Sequence, residues 1–364
     1  MLIIKIGGGI GMYECPICGR EKYVQGVCLN CQSKLEREAY ESLSDEEINI
    51  QIKEIINNIK DDEYIDKAKN IISYTNADTS EIAEAACNNE VYYPKELYKD
   101  ASEKVRGKLI ERLKNTEQSL TANKLLECLA IICDDVVLNA FYEFENNPPK
   151  WREKLYVNPS VYAECGGWTF DENKKKINLA YDDCYVMFED EEISDEAVIV
   201  GAISDERCSE CNSRLVDIFS IDGNDERLKF INLKGKINIK VCLNCLPYED
   251  EFCKFDLDGG SELMPFEGYE CDDDDEIEEV SSKHFTLSKE KVSKYYGSFS
   301  EDLITIGGRG NFVNDCIHLE CPCCKKKMKY LAQIQSDSIN FYDGTMYFYI
   351  CEDCKVVGIN YQQT

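Results

Sequence analysis

Six Cys-x-x-Cys pairs dominate this chain and use twelve of its 21 cysteines. They fall into three groups of two: Cys15 and Cys18 with Cys28 and Cys31, Cys208 and Cys211 with Cys242 and Cys245, and Cys321 and Cys324 with Cys351 and Cys354. Two turn-borne thiol pairs can close a sulfur tetrahedron around one ion, so the pattern predicts about three structural zinc ions per chain, with no ligand position left for water. Iron–sulfur ligation is the main chemical alternative, since four thiolates also suit such clusters. A disulfide framework belongs to short exported chains; this one has 364 residues and no export signature, so the pairs read as metal ligands first. In Cys321-Pro322-Cys323-Cys324 either of the last two cysteines could ligate, and the spacing favours Cys324.

The first quartet brackets only nine residues between its pairs, a knuckle (residues 1–33) too small to be held by apolar burial. The glycine-rich run IKIGGGIG ahead of it lacks the helix that a phosphate loop needs, because a Cys-x-x-Cys turn follows at once. It reads as a tail, with Met12 as an alternative start. Residues 34–147 are helical in pattern. Ser44-Asp45-Glu46-Glu47 is a capping box, and Ile48, Ile52, Ile55, Ile56 and Ile59 recur at helical spacing after it. Further periodic segments lie at about 62–74, 80–88, 100–114, 120–133 and 134–145, and Pro148-Pro149 ends the last. A series of short helices with no strand between them predicts a HEAT-like array. Cys87, Cys128 and Cys133, set among Ala, Leu and Ile, read as buried structural thiols.

Beyond Trp151 the pattern changes to β-type alternation, and the chain repeats itself. Cys208, Cys211, Leu215, Ile218 and Ile221 match Cys321, Cys324, Met328, Leu331 and Ile334 at an offset of 113. Gly235, Ile237, Ile239, Val241, Cys242 and Cys245 match Gly344, Met346, Phe348, Ile350, Cys351 and Cys354 at an offset of 109. Each copy reads as a Cys-x-x-Cys turn, a strand, a glycine turn, an alternating strand and a second Cys-x-x-Cys. That is a zinc ribbon, and two copies predict two related β-rich lobes in residues 148–364.

Charge narrows the function. The formal net charge is −29, from 41 basic and 70 acidic residues, and loading three four-thiolate sites with Zn²⁺ takes it to −35. Such a chain repels phosphate backbones and attracts basic partners, so nucleic acid is disfavoured. No apolar run approaches the roughly 18 residues of a membrane span, and the expected location is the cytoplasm. Between the ribbons, residues 249–283 carry fifteen acids against Lys254 and Lys283. Asp272, Asp273, Asp274 and Asp275 form its densest part, expected to be a solvated strap that holds a basic protein or peptide.

Catalytic groups are sparse. His284 and His318 are the two histidines, and neither stands in a triad or in H-E-x-x-H. Gly307-Gly308-Arg309-Gly310 lacks the strand and helix of a nucleotide loop, and its glycines read as positions of positive φ. The expectation is a binding protein and not an enzyme. Two other classes stay open: an enzyme using carboxylates and one histidine, and a ribbon that reads RNA through Lys325, Lys326, Lys327 and Lys329.

Residues 148–364 resemble the YwqG-like family of unknown function, grouped with the eukaryotic programmed-cell-death-2 and Tsr-four proteins as the TYPP domain. The resemblance lies in PPKWREKLYVNPSVYAECGGWTF (148–170), in Gly307-Gly308 with Phe312, and in CPCCKKKMKYLAQIQSDS and DGTMYFYICEDC near the C-terminus. Gly310 and Phe312 stand where the family has Pro and Trp. The resemblance implies a two-lobed, internally duplicated α+β domain that binds proteins or peptides, in a chaperone-like or immunity-like role, with Gly307, Gly308 and Phe312 among the partner-binding residues. The whole chain is thus expected to be α+β: a knuckle, a helical array, and a duplicated β-rich domain with two zinc ribbons.

Overall fold

Local signals explain where the helices begin and end. In the computed structural model, which describes residues 12–19, 21–190, 195–266, 280, 283–299, 303–339, 341 and 344–363, two short strands, β1 (Tyr13–Glu14) and β2 (Glu21–Lys22), pair in the first knuckle. Helix α1 (Leu29–Glu41) starts at the second Cys-x-x-Cys and so runs across the expected boundary at residue 33. The capping box forms at α2 (Asp45–Asn57): the Ser44 N–H donates to Glu47 Oε2 at 2.9 Å, and the Glu47 N–H to Ser44 Oγ at 3.4 Å. Ile48, Ile52 and Ile55 are buried along one face of α2, each contributing roughly 2 kcal/mol of burial. Helices α3 (Asp62–Tyr74), α4 (Ser80–Asn89), α5 (Glu103–Asn115), α6 (Ser119–Ile132) and α7 (Asp135–Asn146) follow, and α7 stops just ahead of Pro148. Their apolar faces share one core, in which Cys87 and Cys128 are fully buried; Cys133 is half-buried and ends α6 in the left-handed conformation.

The expected boundary at 147/148 is bridged by the same core. Helix α8 (Pro159–Glu164) and the hairpin of β3 (Trp168–Phe170) with β4 (Lys176–Asn178) pack on the helices. Trp151 Nε1 donates to Leu113 O at 2.7 Å and Trp168 Nε1 to Ala130 O at 2.8 Å. Both acceptors lie in the last turn of a helix, where carbonyls lack an intrahelical partner. The two indoles therefore cap α5 and α6 while filling the core.

The β-rich half comprises β5 (Cys184–Asp190), β6 (Val198–Arg207), β7 (Arg214–Asp222), β8 (Lys236–Val241), β9 (Glu251–Phe255), β10 (Ser261–Leu263), β11 (His284–Leu287), β12 (Ile304–Gly307), β13 (Lys329–Gln335), β14 (Thr345–Cys351) and β15 (Val356–Gln362). Strands β6-β7-β8 make a three-stranded antiparallel sheet, and β10-β9-β15-β14-β13-β12-β5-β11 an eight-stranded one. The two sheets enclose a single apolar core, and the rings of Phe219 on β7 and Phe348 on β14 meet edge to face at 4.9 Å. The hairpins β7–β8 and β13–β14 each end in a cysteine quartet, and both bury a face in this one core, where the repeat predicted two related β-rich lobes.

Register matches the repeat in detail. On β7 and β8, Val216 faces Val241 and Ile221 faces Ile237; at the equivalent positions of β13 and β14, Lys329 faces Ile350 and Ile334 faces Met346. Each hairpin shifts register once, between Asp217 and Phe219 in one and between Tyr330 and Ala332 in the other, again at the same offset.

Part of the acidic segment is folded. Residues 249–266 enter β9 and β10 at one edge of the large sheet, Val280 is buried in the core, and the chain re-emerges in β11 at the opposite edge. Segment 291–299 ties the sheet to the helices: Ser293 Oγ donates to Ile72 O at 2.9 Å, and Tyr296 OH to Glu41 Oε1 at 2.6 Å. Among the described residues no helix is long and apolar enough to cross a membrane.

Candidate metal centres

Each expected quartet assembles. In each of the three sets, Cys15/18/28/31, Cys208/211/242/245 and Cys321/324/351/354, the four sulfurs all lie within 4.8 Å of one another. Cys18 Sγ is 3.6 Å from Cys28 Sγ, Cys211 Sγ 3.4 Å from Cys242 Sγ, and Cys324 Sγ 3.8 Å from Cys351 Sγ. A disulfide needs about 2.05 Å, whereas sulfurs around a tetrahedral zinc at 2.3 Å lie roughly 3.8 Å apart. The donor sets fit zinc. Cys324 belongs to the third quartet, and Cys323 is exposed outside it.

A common turn makes this convergence possible. Four residues after the first cysteine, Gly19, Asn212 and Lys325 all have positive φ (72°, 64° and 61°). Each donates its N–H to the carbonyl of that cysteine, at 2.9, 3.0 and 2.8 Å. The left-handed residue folds the chain back so that both sulfurs of the pair face one point. In the two ribbons the turn is closed again from the other side, by Cys208 N–H to Ser213 O and Cys321 N–H to Lys326 O, both at 2.9 Å.

Electrostatics favour a cation in these pockets. Backbone N–H groups of Cys18 and Cys28 draw the Cys15 thiol down to about 5, whereas burial and the neighbouring thiols push Cys31 up to about 12. In the third site burial opposes ionisation of Cys321, yet the N–H groups of Cys324 and Cys323 bring it down to about 7. Four crowded thiols cannot all ionise unaided, and a divalent cation removes that conflict. At the second site Glu251, fully buried on β9, accepts the Cys242 N–H at 2.9 Å, and burial holds its carboxyl well above the usual carboxylate range. Sequence reasoning passed over Glu251; its one signal is an acid in phase with Cys253 and Phe255 on an otherwise apolar face.

The other expected site residues fare differently. Gly307 and Gly308 are buried at the end of β12 with φ of 78° and 72°, and a Cβ on Gly307 would lie 2.1 Å from Asp183 O. They turn the backbone and offer no surface to a partner, which corrects their assignment as partner-binding residues. Phe312 packs against Tyr347 with centroids 5.0 Å apart, and the cavity beside it is about 20 Å³, room for one water and no peptide. Asp272, Asp273, Asp274 and Asp275 lie outside the described residues. His318 is buried with Nδ1 3.1 Å from Met328 O, and burial lowers it to about 4; His284 sits half-buried on β11. Neither histidine joins a quartet.

No family model matches the chain, so the resemblance to the YwqG-like family rests on the motifs alone. No solved structure matches it either. The chain is similar to the uncharacterized protein YpfL of Salmonella typhimurium, 25% identical over 275 residues, which cover 71% of this chain and 63% of that protein. The match thus spans less than two thirds of the relative's length.

Proposed function

We propose that this chain is a zinc-stabilised protein- or peptide-binding module whose client is basic. The observation that carries the reading is the charge on a stapled scaffold: 70 acidic against 41 basic residues give an excess of 29 negative charges. The described ends of the acidic segment, β10 and β11, form the two opposite edges of one sheet, so its carboxylates are anchored to a rigid frame. The closed sulfur sites are suited to holding a fold. The matched registers and matched bulges of the two hairpins support reading them as copies of one ribbon, and the packing of α1 on α3, α2 on α3 and α4, α4 on α5 and α5 on α6 supports a HEAT-like array. Reading RNA is disfavoured because Lys326 pairs with Asp353, Lys327 with Glu164 and Lys329 with Glu352. A chaperone-like or immunity-like role in the cytoplasm fits this reading.

The test is association with an oligolysine peptide as a function of salt. Charge contacts are screened over roughly 8 Å at physiological ionic strength, so the on-rate should drop steeply as salt rises. Changing Asp272, Asp273, Asp274 and Asp275 together to Asn should slow association and flatten that dependence. An unchanged rate and salt slope in the variant would return the strap to a solvating role.

A further inference from the structure

Among the described residues eight cysteines stand outside the quartets, and two of them, Cys165 and Cys316, meet through their side chains although they are far apart in the chain. The fold brings them together from two sides. Cys165 closes the C-terminal end of α8, where Ala163 is buried in the helical core. Cys316 lies in the loop between β12 and β13, just ahead of Leu319, which packs with the third quartet. Beside the two sulfurs the His318 N–H donates to Glu164 Oε2 at 3.4 Å, and Lys327 Nζ lies 3.4 Å from Glu164 Oε1. The loop is therefore held against the end of α8 by contacts of its own. Both thiols are half-buried, whereas Cys87, Cys128, Cys184 and Cys253 are sealed inside the protein. The contact with Cys165, reinforced by burial, pushes the Cys316 thiol well above its ordinary range, so Cys316 keeps its proton and donates it towards the Cys165 sulfur.

We propose that Cys165 and Cys316 form a reversible redox site, which closes to a disulfide on reaction with hydrogen peroxide and reopens with a dithiol reductant. The Cys165 sulfur attacks one peroxide oxygen and breaks the O–O bond; it becomes a sulfenic acid, and the other oxygen leaves as water with the thiol proton. The Cys316 sulfur then attacks the sulfenic sulfur, the S–O bond breaks, and the hydroxyl leaves with the Cys316 proton as a second water. Two thiols give up two electrons and one hydrogen peroxide takes them. Closure brings the sulfurs from contact to about 2.05 Å, and the movement falls on a loop, since Cys316 lies outside the strands. The bond ties the helical core to the segment that leads into the third quartet. Neither the acidic segment nor a basic client takes part, so this reading and the proposed function stand or fall separately.

The experiment treats the zinc-loaded full chain with hydrogen peroxide, raised until the exposed thiol of Cys323 reacts, then blocks free thiols with iodoacetamide and digests with chymotrypsin. Cleavage after Tyr162, Trp168, Phe312 and Leu319 isolates the two thiols on peptides 163–168 and 313–319, each with a single cysteine. These peptides should appear joined before Cys323 is oxidised, with zinc retained, and should separate again after dithiothreitol. Cys316→Ser, checked for its zinc content, leaves the sulfenic acid on Cys165 without a resolving thiol, so dimedone should label Cys165 about tenfold more than in the parent. A pair still reduced when Cys323 has been oxidised overturns the proposal, as does zinc loss ahead of the cross-link. Equal dimedone labelling of Cys165 in parent and variant overturns it too, because Cys316 would then not reach the oxidised sulfur.

Discussion

Asn212 and Lys325 stand at equivalent positions of the two ribbons, each four residues past the first cysteine and each held left-handed, at φ of 64° and 61°. In the first knuckle the same position is Gly19, at 72°. An L side chain pays about 1–2 kcal/mol for that conformation, while glycine adopts it freely at some entropic cost in the unfolded chain. Lys325→Gly should therefore leave the zinc-loaded protein as stable as before or up to about 1 kcal/mol more stable. Gly19→Val should weaken zinc retention at the first site, and since a Cβ there meets nothing within 4 Å, the loss is a backbone effect. Chelator competition on the two variants reads both outcomes.

Metal content follows directly from the sulfur geometry. Plasma mass spectrometry should return three zinc ions per chain, two for Cys324→Ser, and three again for the neighbouring Cys323→Ser, whose thiol stands outside the quartet. Cys242→Ser should release one zinc and lower the melting temperature of the β-rich half, because binding energy at a closed site is folding energy. Iron with sulfide, or a Cys242→Ser variant that melts normally with three zinc ions, contradicts the assignment.

The indole caps predict how tightly the helices and the segment at 148–170 are joined. Trp151→Phe leaves Leu113 O buried without its donor, and Trp168→Phe does the same to Ala130 O. Each should cost about 2–4 kcal/mol, combining an orphaned carbonyl with lost packing. Urea denaturation followed through the helical signal measures it. A loss below about 0.5 kcal/mol for both, the range of ordinary surface changes, would mean that the two indoles do not fasten this segment to the array.

Much of this was legible beforehand because the constraints are local. The cysteine spacings named the twelve thiols that converge in three quartets, and the isoleucine series after Ser44 marked α2 and its buried face. The repeat at offsets of 113 and 109 carried down to the paired residues Ile221 with Ile237 and Ile334 with Met346. What escaped depended on long-range packing. No spacing in residues 148–170 says that Trp151 and Trp168 belong to the helical core, because alternation and aromatic content suit a strand equally well. Sharing of one core by both ribbons, the anchoring of residues 249–266 in an edge hairpin, and the burial of Gly307 and Gly308 all need the partner surface to be known. Arg37 reads as an ordinary helical cation until β5 brings Phe188 over it.

His318 supplies a pH dependence whose sign can be worked out. The imidazole is 2% exposed, enclosed by Phe312 and Tyr349, and burial lowers it to about 4 from an ordinary value near 6.5. The folded protein therefore holds it neutral, and unfolding lets it take up a proton at mildly acidic pH. A group with a depressed folded value contributes stability above its unfolded value and loses it as pH falls towards the folded one. The window runs from about 6.5 down to about 4, and between pH 7 and pH 5 the loss should reach about 2 kcal/mol. Thiolate protonation at the metal sites also destabilises the protein in acid, so the informative quantity is a difference between two proteins. His318→Asn can keep a donor near Met328 O but cannot titrate. Urea midpoints should converge as the pH drops, with the variant less stable than the parent at pH 7 and closing that gap by about 2 kcal/mol at pH 5. A constant gap across that range would mean that His318 does not titrate on unfolding as its burial requires.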